Sequence, residues 1–144
     1  MNVELFEAST RNDLKRVKEL LSEGADPNFF GNNTLYWAVG QSSELVKLLL
    51  QYGADPNVPS GNDHETPLHK ACILGYFDSA KVLLENGADP NIPDRRGRLP
   101  SYWIGYRKEI DELLEHYSLK IFSLRSIRKH RINTTKIPNE LYLL

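Results

Sequence analysis

A five-residue motif that occurs three times constrains the fold of this chain more than any other feature. Gly-Ala-Asp-Pro-Asn stands at residues 24–28, 53–57 and 87–91, and each copy follows a stretch that contains a leucine pair. The glycines are therefore 29 and 34 residues apart. Self-similarity at a period of about 20 to 50 residues is typical of solenoids, in which each unit packs on its neighbours. The sequence predicts a stack of short repeats.

Each repeat is expected to contain a pair of helices. In the third copy, residues 79–85 place Leu83 and its neighbouring apolar residues on one stripe, which must be buried. Gly87 follows, where a helix can end in the left-handed conformation that glycine adopts without a Cβ penalty. A second, shorter helix is expected after Thr66, which suits an N-cap, with Pro67 in the first helical position.

The residues Thr66-Pro67-Leu68-His69, together with the recurrent Gly-Ala-Asp-Pro-Asn, resemble the consensus of the ankyrin repeat. This resemblance implies an all-α solenoid, a right-handed stack of helix-turn-helix units with finger loops. It divides residues 1–117 into four repeats, of which the first and last are atypical caps: about 1–29, 30–57, 58–90 and 91–117.

The concave side of the stack is the surface on which the resemblance predicts binding of a target protein. By register with the third repeat, it contains Phe29, Phe30, Asn32, Asp63, Glu65, Ile73, Leu74, Arg95, Arg96, Arg98 and Tyr106. Its apolar members are expected to be anchors, because buried aromatic and aliphatic contacts dominate interface energies. Two interpretations of the three arginines stay open: a site for carboxylates or phosphates, or a solvated turn.

Charge changes sign along the chain. Residues 1–90 hold 13 acids and 7 bases, whereas residues 91–144 hold 6 acids and 11 bases. From Ser118 onward, the only acidic residue is Glu140. Apolar residues at positions 119, 122, 124 and 127 give this part a partly amphipathic helical pattern. The change of character near residue 118 predicts a second module, residues 118–144.

The tail resembles a SOCS box, a helical element that often follows ankyrin repeats. The residues that correspond to its adaptor-binding helix are Ser118, Leu119, Ser123, Ile127 and Arg128. The resemblance implies binding to elongin B and elongin C, with Leu119 in the elongin C pocket. Ile137, Pro138 and Leu141 correspond to the second half of the element that selects a cullin. Thr135 and Lys136 occupy the places of its first half, so the resemblance covers the adaptor more completely than the cullin.

No catalytic, metal or cofactor site is predicted. His69 lacks a second ligand or partner group and is expected to be a hydrogen-bonding residue of the repeat. Cys72, the single cysteine, lacks a predicted base and fits a small buried position. Trp37 and Trp103 fall at matching places in two inner helices. Core packing is the expected role of both, and an aromatic binding platform is the alternative.

The favoured function is that of a substrate-recognition subunit of an elongin B/C cullin-RING ubiquitin ligase. The alternative is a plain ankyrin scaffold or inhibitor in which residues 118–144 only cap the stack. Nucleic acid and membrane are not expected partners, because apolar residues interrupt the basic tail and no stretch has the roughly 20 apolar residues of a membrane span. A cytoplasmic location is expected, since the first residues lack the apolar run of a secretory signal.

Overall fold

The computed structural model describes residues 1–29, 33–103 and 108–129. Its helices in chain order are α1 Asn2–Thr10, α2 Leu14–Ser22, α3 Asn33–Ala38, α4 Ser43–Gln51, α5 Pro67–Leu74, α6 Phe77–Glu85 and α7 Lys108–Lys129, with a 3-10 helix, Pro100–Trp103, before α7. Within those three ranges no strand forms, and Ser60 and Glu65 make only an isolated antiparallel bridge. The predicted all-α solenoid is confirmed over this part of the chain.

Polar side chains cap the N-termini of three of the described helices. Asp13 before α2 and Ser42 before α4 each accept a hydrogen bond from the backbone N–H three residues further on. Thr66 does the same for α5, in which Pro67 is the first residue, as predicted. These caps satisfy N–H groups that have no partner within the first helical turn.

The recurrent glycines follow the second helix of each pair, α2, α4 and α6. Gly24, Gly53 and Gly87 have φ angles of 96°, 90° and 93°, values that a residue with a Cβ rarely adopts. The next N–H then donates back into the helix, at 2.9, 3.0 and 2.9 Å for Ala25 to Leu20, Ala54 to Leu49 and Ala88 to Leu83. The positive φ predicted for these glycines is confirmed.

The helices form two layers around one continuous core. The inner layer runs from α1 through α3 and α5 to the 3-10 helix, and the outer layer includes α4, α6 and α7 as successive neighbours. The largest fully buried side chains include Leu5, Leu20, Leu35, Leu45, Leu49, Leu68, Leu83 and Ile110. The outward-facing residues of α3 and α5 lie on one face of the stack.

The last unit departs from the other three. Its first helix is a single 3-10 turn, and α7 then continues as 22 residues from Lys108 to Lys129. Ile110 and Leu114 anchor α7 to the core. The helix passes through residues 117 and 118 without a break, so the structure marks no boundary there. The division into four repeats and a tail stays a prediction.

Candidate functional site

The face of the inner helices carries a large exposed aromatic ring. Trp37 on α3 is 47 % exposed, so the prediction that it packs in the core is wrong. Leu35, Ala38 and Val39 fill the buried stripe of this helix, and Trp37 points away from that stripe. Trp103, by contrast, packs partly buried against the core, as predicted.

Tyr36 and Trp37 form a corner that holds a cation. Their rings are perpendicular, with centroids 6.1 Å apart and an interplanar angle of 88°. The ammonium of Lys70, on α5, lies 4.7 Å from both centroids. A cation at this distance is attracted by the negative face of an aromatic ring. Neighbouring repeats are thus joined at their surface by a charged side chain that is held in place.

Glu65 fixes the other edge of this corner. Its carboxylate accepts a hydrogen bond from the Tyr36 hydroxyl at 2.7 Å. Its backbone pairs with Ser60 in both directions, which ties the carboxylate to the finger loop. Burial first, and then the bond to Glu65, raise the pKa of Tyr36 above its ordinary value. Tyr36 therefore stays neutral and acts as a donor.

Apolar side chains continue the surface beyond Lys70. Ile73 and Leu74 follow Lys70 by three and four residues on α5, and each is 36 % exposed. Leu74 lies against Gly40 of the preceding repeat. A Cβ placed on that glycine would be 3.9 Å from Cδ1 of Leu74, an ordinary van der Waals distance. We call Tyr36, Trp37, Lys70, Ile73 and Leu74 the inner-helix patch. It combines two aromatic rings, two branched aliphatic side chains and one positive charge.

Several predicted binding residues lie on the finger loops. Asp63, Arg95 and Arg96 are exposed, as is Phe29 in the turn after α2. The backbone N–H of Arg95 donates to the carbonyl of Asp63 at 2.8 Å, which joins two neighbouring finger loops. Phe30, Asn32 and Tyr106, which were predicted on the same surface, lie outside the described residues.

Arg98 has a structural partner of its own. Its Nε lies 2.8 Å from the buried carboxylate of Asp94, and its guanidinium stacks 4.3 Å from the centroid of Trp103. Burial alone would raise the pKa of Asp94, but hydrogen bonds from Arg98 and Arg96 lower it overall. Arg98 is therefore less available to an outside ligand than Arg95 or Arg96.

His69 and Cys72 lie in the core of the third repeat. The Thr66 N–H donates to Nδ1 of His69 at 3.1 Å, and Nε2 of His69 lies 3.0 Å from the carbonyl oxygen of Arg98. This confirms the structural role predicted for the histidine. Burial raises the pKa of the Cys72 thiol to about 12, so this thiol is not ionised near neutral pH.

The predicted adaptor-binding residues are only partly described. Leu119 and Phe122 on α7 are 63 % and 72 % exposed, and Ser123 is half-buried. Ile127 and Arg128 belong to the same helix by their backbone. The predicted cullin-binding residues, Ile137, Pro138 and Leu141, lie outside the described residues. An exposed apolar pair therefore marks the middle of α7.

The described ranges contain neither a metal-ligand cluster nor a membrane-spanning helix. No group of three or more histidine, cysteine, aspartate or glutamate side chains there is arranged to hold a metal ion. Among the described helices, none is both long and apolar enough to cross a membrane.

Sequence reasoning missed Tyr36 and Lys70, and it gave Trp37 a binding role only as the alternative to core packing. A signal was present, because Leu35, Ala38 and Val39 already supply the positions i, i+3 and i+4 of a buried stripe. A tryptophan between them must point elsewhere. The treatment of Trp37 as a core residue gave more weight to its size than to its position on the helix.

Comparison with known proteins agrees with this architecture. A family model described as "Ankyrin repeats (3 copies)" matches residues 5–94. The chain is 35 % identical over 99 residues to cyclin-dependent kinase 4 inhibitor B of Mus musculus, an alignment that covers 67 % of this chain and 76 % of the relative. The same protein of Rattus norvegicus matches to the same extent. Ankyrin repeats indicate a scaffold for protein–protein interaction. The chain belongs to the family of ankyrin-repeat proteins.

Proposed function

We propose that this protein is a binding scaffold that recognises another protein through the inner-helix patch and acts as a competitive inhibitor of it. The observation that carries the proposal is the exposed Trp37, held beside Lys70 on the face of the inner helices. Tryptophan and tyrosine are enriched among the residues that contribute most to interface energies. The arrangement supplies contact surface and no catalytic group.

The patch is prepared for binding before a partner arrives. Tyr36 is fixed by Glu65, and Lys70 is fixed by the two rings, so few side-chain rotations are lost when a partner covers them. Ile73 and Leu74 extend the apolar surface on the same helix as Lys70. A partner that covers these groups gains hydrophobic contact area at a small cost in side-chain entropy.

The name of the relatives suggests which partner to test first. They are called inhibitors of cyclin-dependent kinase 4, and the alignment covers about three quarters of their length. We therefore take a protein kinase of that type as the first candidate, with inhibition by occupation of its surface.

A binding titration tests this proposal. Purified cyclin-dependent kinase 4 is titrated against the intact chain, a Trp37→Ala variant and a Tyr52→Ala variant. Tyr52 is an exposed aromatic residue at the end of α4, away from the inner helices, and serves as the matched control. We expect Trp37→Ala to weaken binding about tenfold or more, at a cost of about 1.4 kcal/mol or above, and Tyr52→Ala to leave it unchanged.

Stability measurements keep the titration interpretable. Because Trp37 is half exposed, its replacement is expected to leave the unfolding midpoint close to that of the intact chain. If the kinase does not bind the intact chain, the kinase-inhibitor proposal is wrong. If the kinase binds Trp37→Ala as tightly as the intact chain, the inner-helix patch is not its binding site.

A second candidate function rests on the exposed pair Leu119 and Phe122 of α7. Under this proposal, α7 binds elongin B and elongin C, and the scaffold presents its target to a ubiquitin ligase. Co-purification with the two elongins tests it, with Leu119→Asp as the disruptive variant and Lys120→Asp as a neighbouring control. Formation of a complex that only Leu119→Asp abolishes supports the adaptor role. If no complex forms with the intact chain, α7 is not an adaptor-binding helix.

A further inference from the structure

Lys70 is the one charged member of the inner-helix patch, and the patch leaves its charge without an anionic partner. Its ammonium faces the rings of Tyr36 and Trp37 at 4.7 Å. Within the described residues, no carboxylate lies close enough to form an ion pair with it. The nearby carboxylate of Glu65 accepts its hydrogen bond from Tyr36 instead.

The rings cover one side of the ammonium, and the Lys70 side chain is only partly buried. The face of an aromatic ring attracts a cation, but it has no lone pair that accepts a hydrogen bond. The three N–H donors of lysine therefore still need acceptors. A partner that covers Trp37 and Leu74 also covers Lys70, because Lys70 lies on the same helix as Leu74, four residues earlier, and its ammonium lies over the Trp37 ring.

Covering this ammonium without supplying an acceptor is unfavourable. A buried ion that loses its water and gains no partner opposes binding strongly, whereas a hydrogen-bonded carboxylate offsets that loss. The apolar residues around Lys70 require an apolar counterpart at the same time. A favourable partner therefore presents an acidic side chain and an apolar side chain next to each other.

We infer that the partner of the inner-helix patch presents a carboxylate that binds the Lys70 ammonium, next to an apolar side chain that packs on Trp37 and Leu74. This rests on the proposed function, because it specifies the chemistry of the protein that the scaffold binds. Lys70 selects the partner through charge, and Tyr36 and Trp37 keep its ammonium in position. The apolar residues supply contact area that does not distinguish an acidic partner from a basic one.

A selection from a displayed library tests this inference. The library presents a small single-domain binding protein with randomised loops, and clones that also bind Trp37→Ala are removed so that only patch-directed binders remain. Selections are run in parallel on the intact chain, Lys70→Met, Lys70→Glu and Lys81→Glu. Lys81 is an exposed lysine on the outer helix α6, and its variant has the same change of charge away from the patch.

The inference predicts loops rich in aspartate or glutamate beside apolar residues for the intact chain and for Lys81→Glu. With Lys70→Met the acidic preference disappears while the apolar preference persists, and with Lys70→Glu the preferred charge becomes positive. Binders selected on the intact chain are expected to lose about thirtyfold or more in affinity for Lys70→Met, as occurs when one partner of a buried charge pair is removed.

Three results would overturn the inference. One is a set of Trp37-dependent binders with no acidic preference, and another is an acidic preference that survives both substitutions of Lys70. The third is a selection that yields no Trp37-dependent binder. The first two leave the proposed function intact, because the kinase titration with Trp37→Ala tests that function independently. Unfolding midpoints of all four proteins show whether each variant is folded.

Discussion

At the scale of single residues, the molecule places its polar groups where the backbone needs partners. His69 is the clearest case, since its ring completes the cap of α5 and also reaches the carbonyl of Arg98 in the next unit. A backbone N–H donates to Nδ1, so Nε2 carries the proton and donates to that carbonyl. The neutral ring satisfies both contacts, and a second proton on Nδ1 would break the first.

Stability is expected to fall in mild acid because of His69. Burial lowers the pKa of its ring, so the unfolded chain binds the proton more readily than the folded one. The stabilising contribution is therefore complete above the unfolded pKa of about 6.5 and is lost as pH falls toward the lower folded value. We expect the thermal unfolding midpoint, followed by circular dichroism, to be lower at about pH 5.5 than at about pH 7.5.

The variant His69→Gln separates this residue from other titrating groups. At pH 7.5 we expect it to be about 1 to 3 kcal/mol less stable than the intact chain, because buried hydrogen bonds are lost. Its thermal unfolding midpoint should change less with pH than that of the intact chain. His64 is exposed with a φ of 54°, so His64→Asn is a suitable control that keeps the full dependence. Identical pH profiles for His69→Gln and the intact chain would contradict this role.

At the scale of elements, asparagines set the spacing between successive turns. Asn57 donates from Nδ2 to the carbonyl of Gly87 at 2.9 Å, and its Oδ1 accepts from the N–H of Asp89 at 2.7 Å. Asn28 makes the same two bonds one repeat earlier, to Gly53 and Asp55 of the turn that follows it. One side chain thus satisfies two backbone groups of the neighbouring repeat, which explains the asparagine at the end of the first two motifs.

Replacing Asn57 by alanine is expected to destabilise the fold by roughly 1 to 3 kcal/mol, since two backbone groups lose their partners. Asn91 ends the third copy of the motif, and within the described part of the chain its side chain forms no such bridge to a further turn. Asn91→Ala is therefore the matched control, and we expect it to lower the free energy of unfolding much less than Asn57→Ala. Urea titration measures both, and equal losses would show that the bridges between turns contribute little.

The long helix α7 combines a packed half with an exposed half. Leu114 is buried beside Ile110 against the core, whereas Leu119, five residues later, is 63 % exposed. We expect Leu114→Ala to lower the free energy of unfolding by about 2 to 5 kcal/mol, as usual for a buried leucine.

The exposed half gives the opposite expectation. Leu119→Asp should change stability by less than about 0.5 kcal/mol, because it removes no buried contact. Thermal unfolding of the two variants side by side checks both values. A large loss of stability in Leu119→Asp would mean that this leucine caps the stack, which is the plain-cap interpretation of residues 118–144.

At the scale of the whole molecule, the repeat motif was sufficient to predict the architecture. Thr66, Pro67 and the motif glycines specify local geometry directly, since each suits one backbone conformation or one hydrogen bond. These features act over a few residues, and the sequence therefore predicted them correctly.

The binding surface was harder to predict because it depends on contacts between units. The corner around Lys70 requires two residues of α3 and one of α5, about thirty positions apart in the chain, to meet across a repeat boundary. The sequence alone predicted Ile73, Leu74 and Glu65 on this surface, and the structure adds the aromatic residues beside them. The fourth unit also differs from the regular repeat, since its first helix is a single 3-10 turn.

Amide hydrogen exchange on the complex with cyclin-dependent kinase 4 tests the central claim most directly, because it locates the contact surface on the unmodified chain. The account predicts slower exchange in α3 and α5 when the kinase is bound, and unchanged exchange in α7. Slower exchange confined to α7, with α3 and α5 unaffected, would contradict the claim that the inner-helix patch is the binding site.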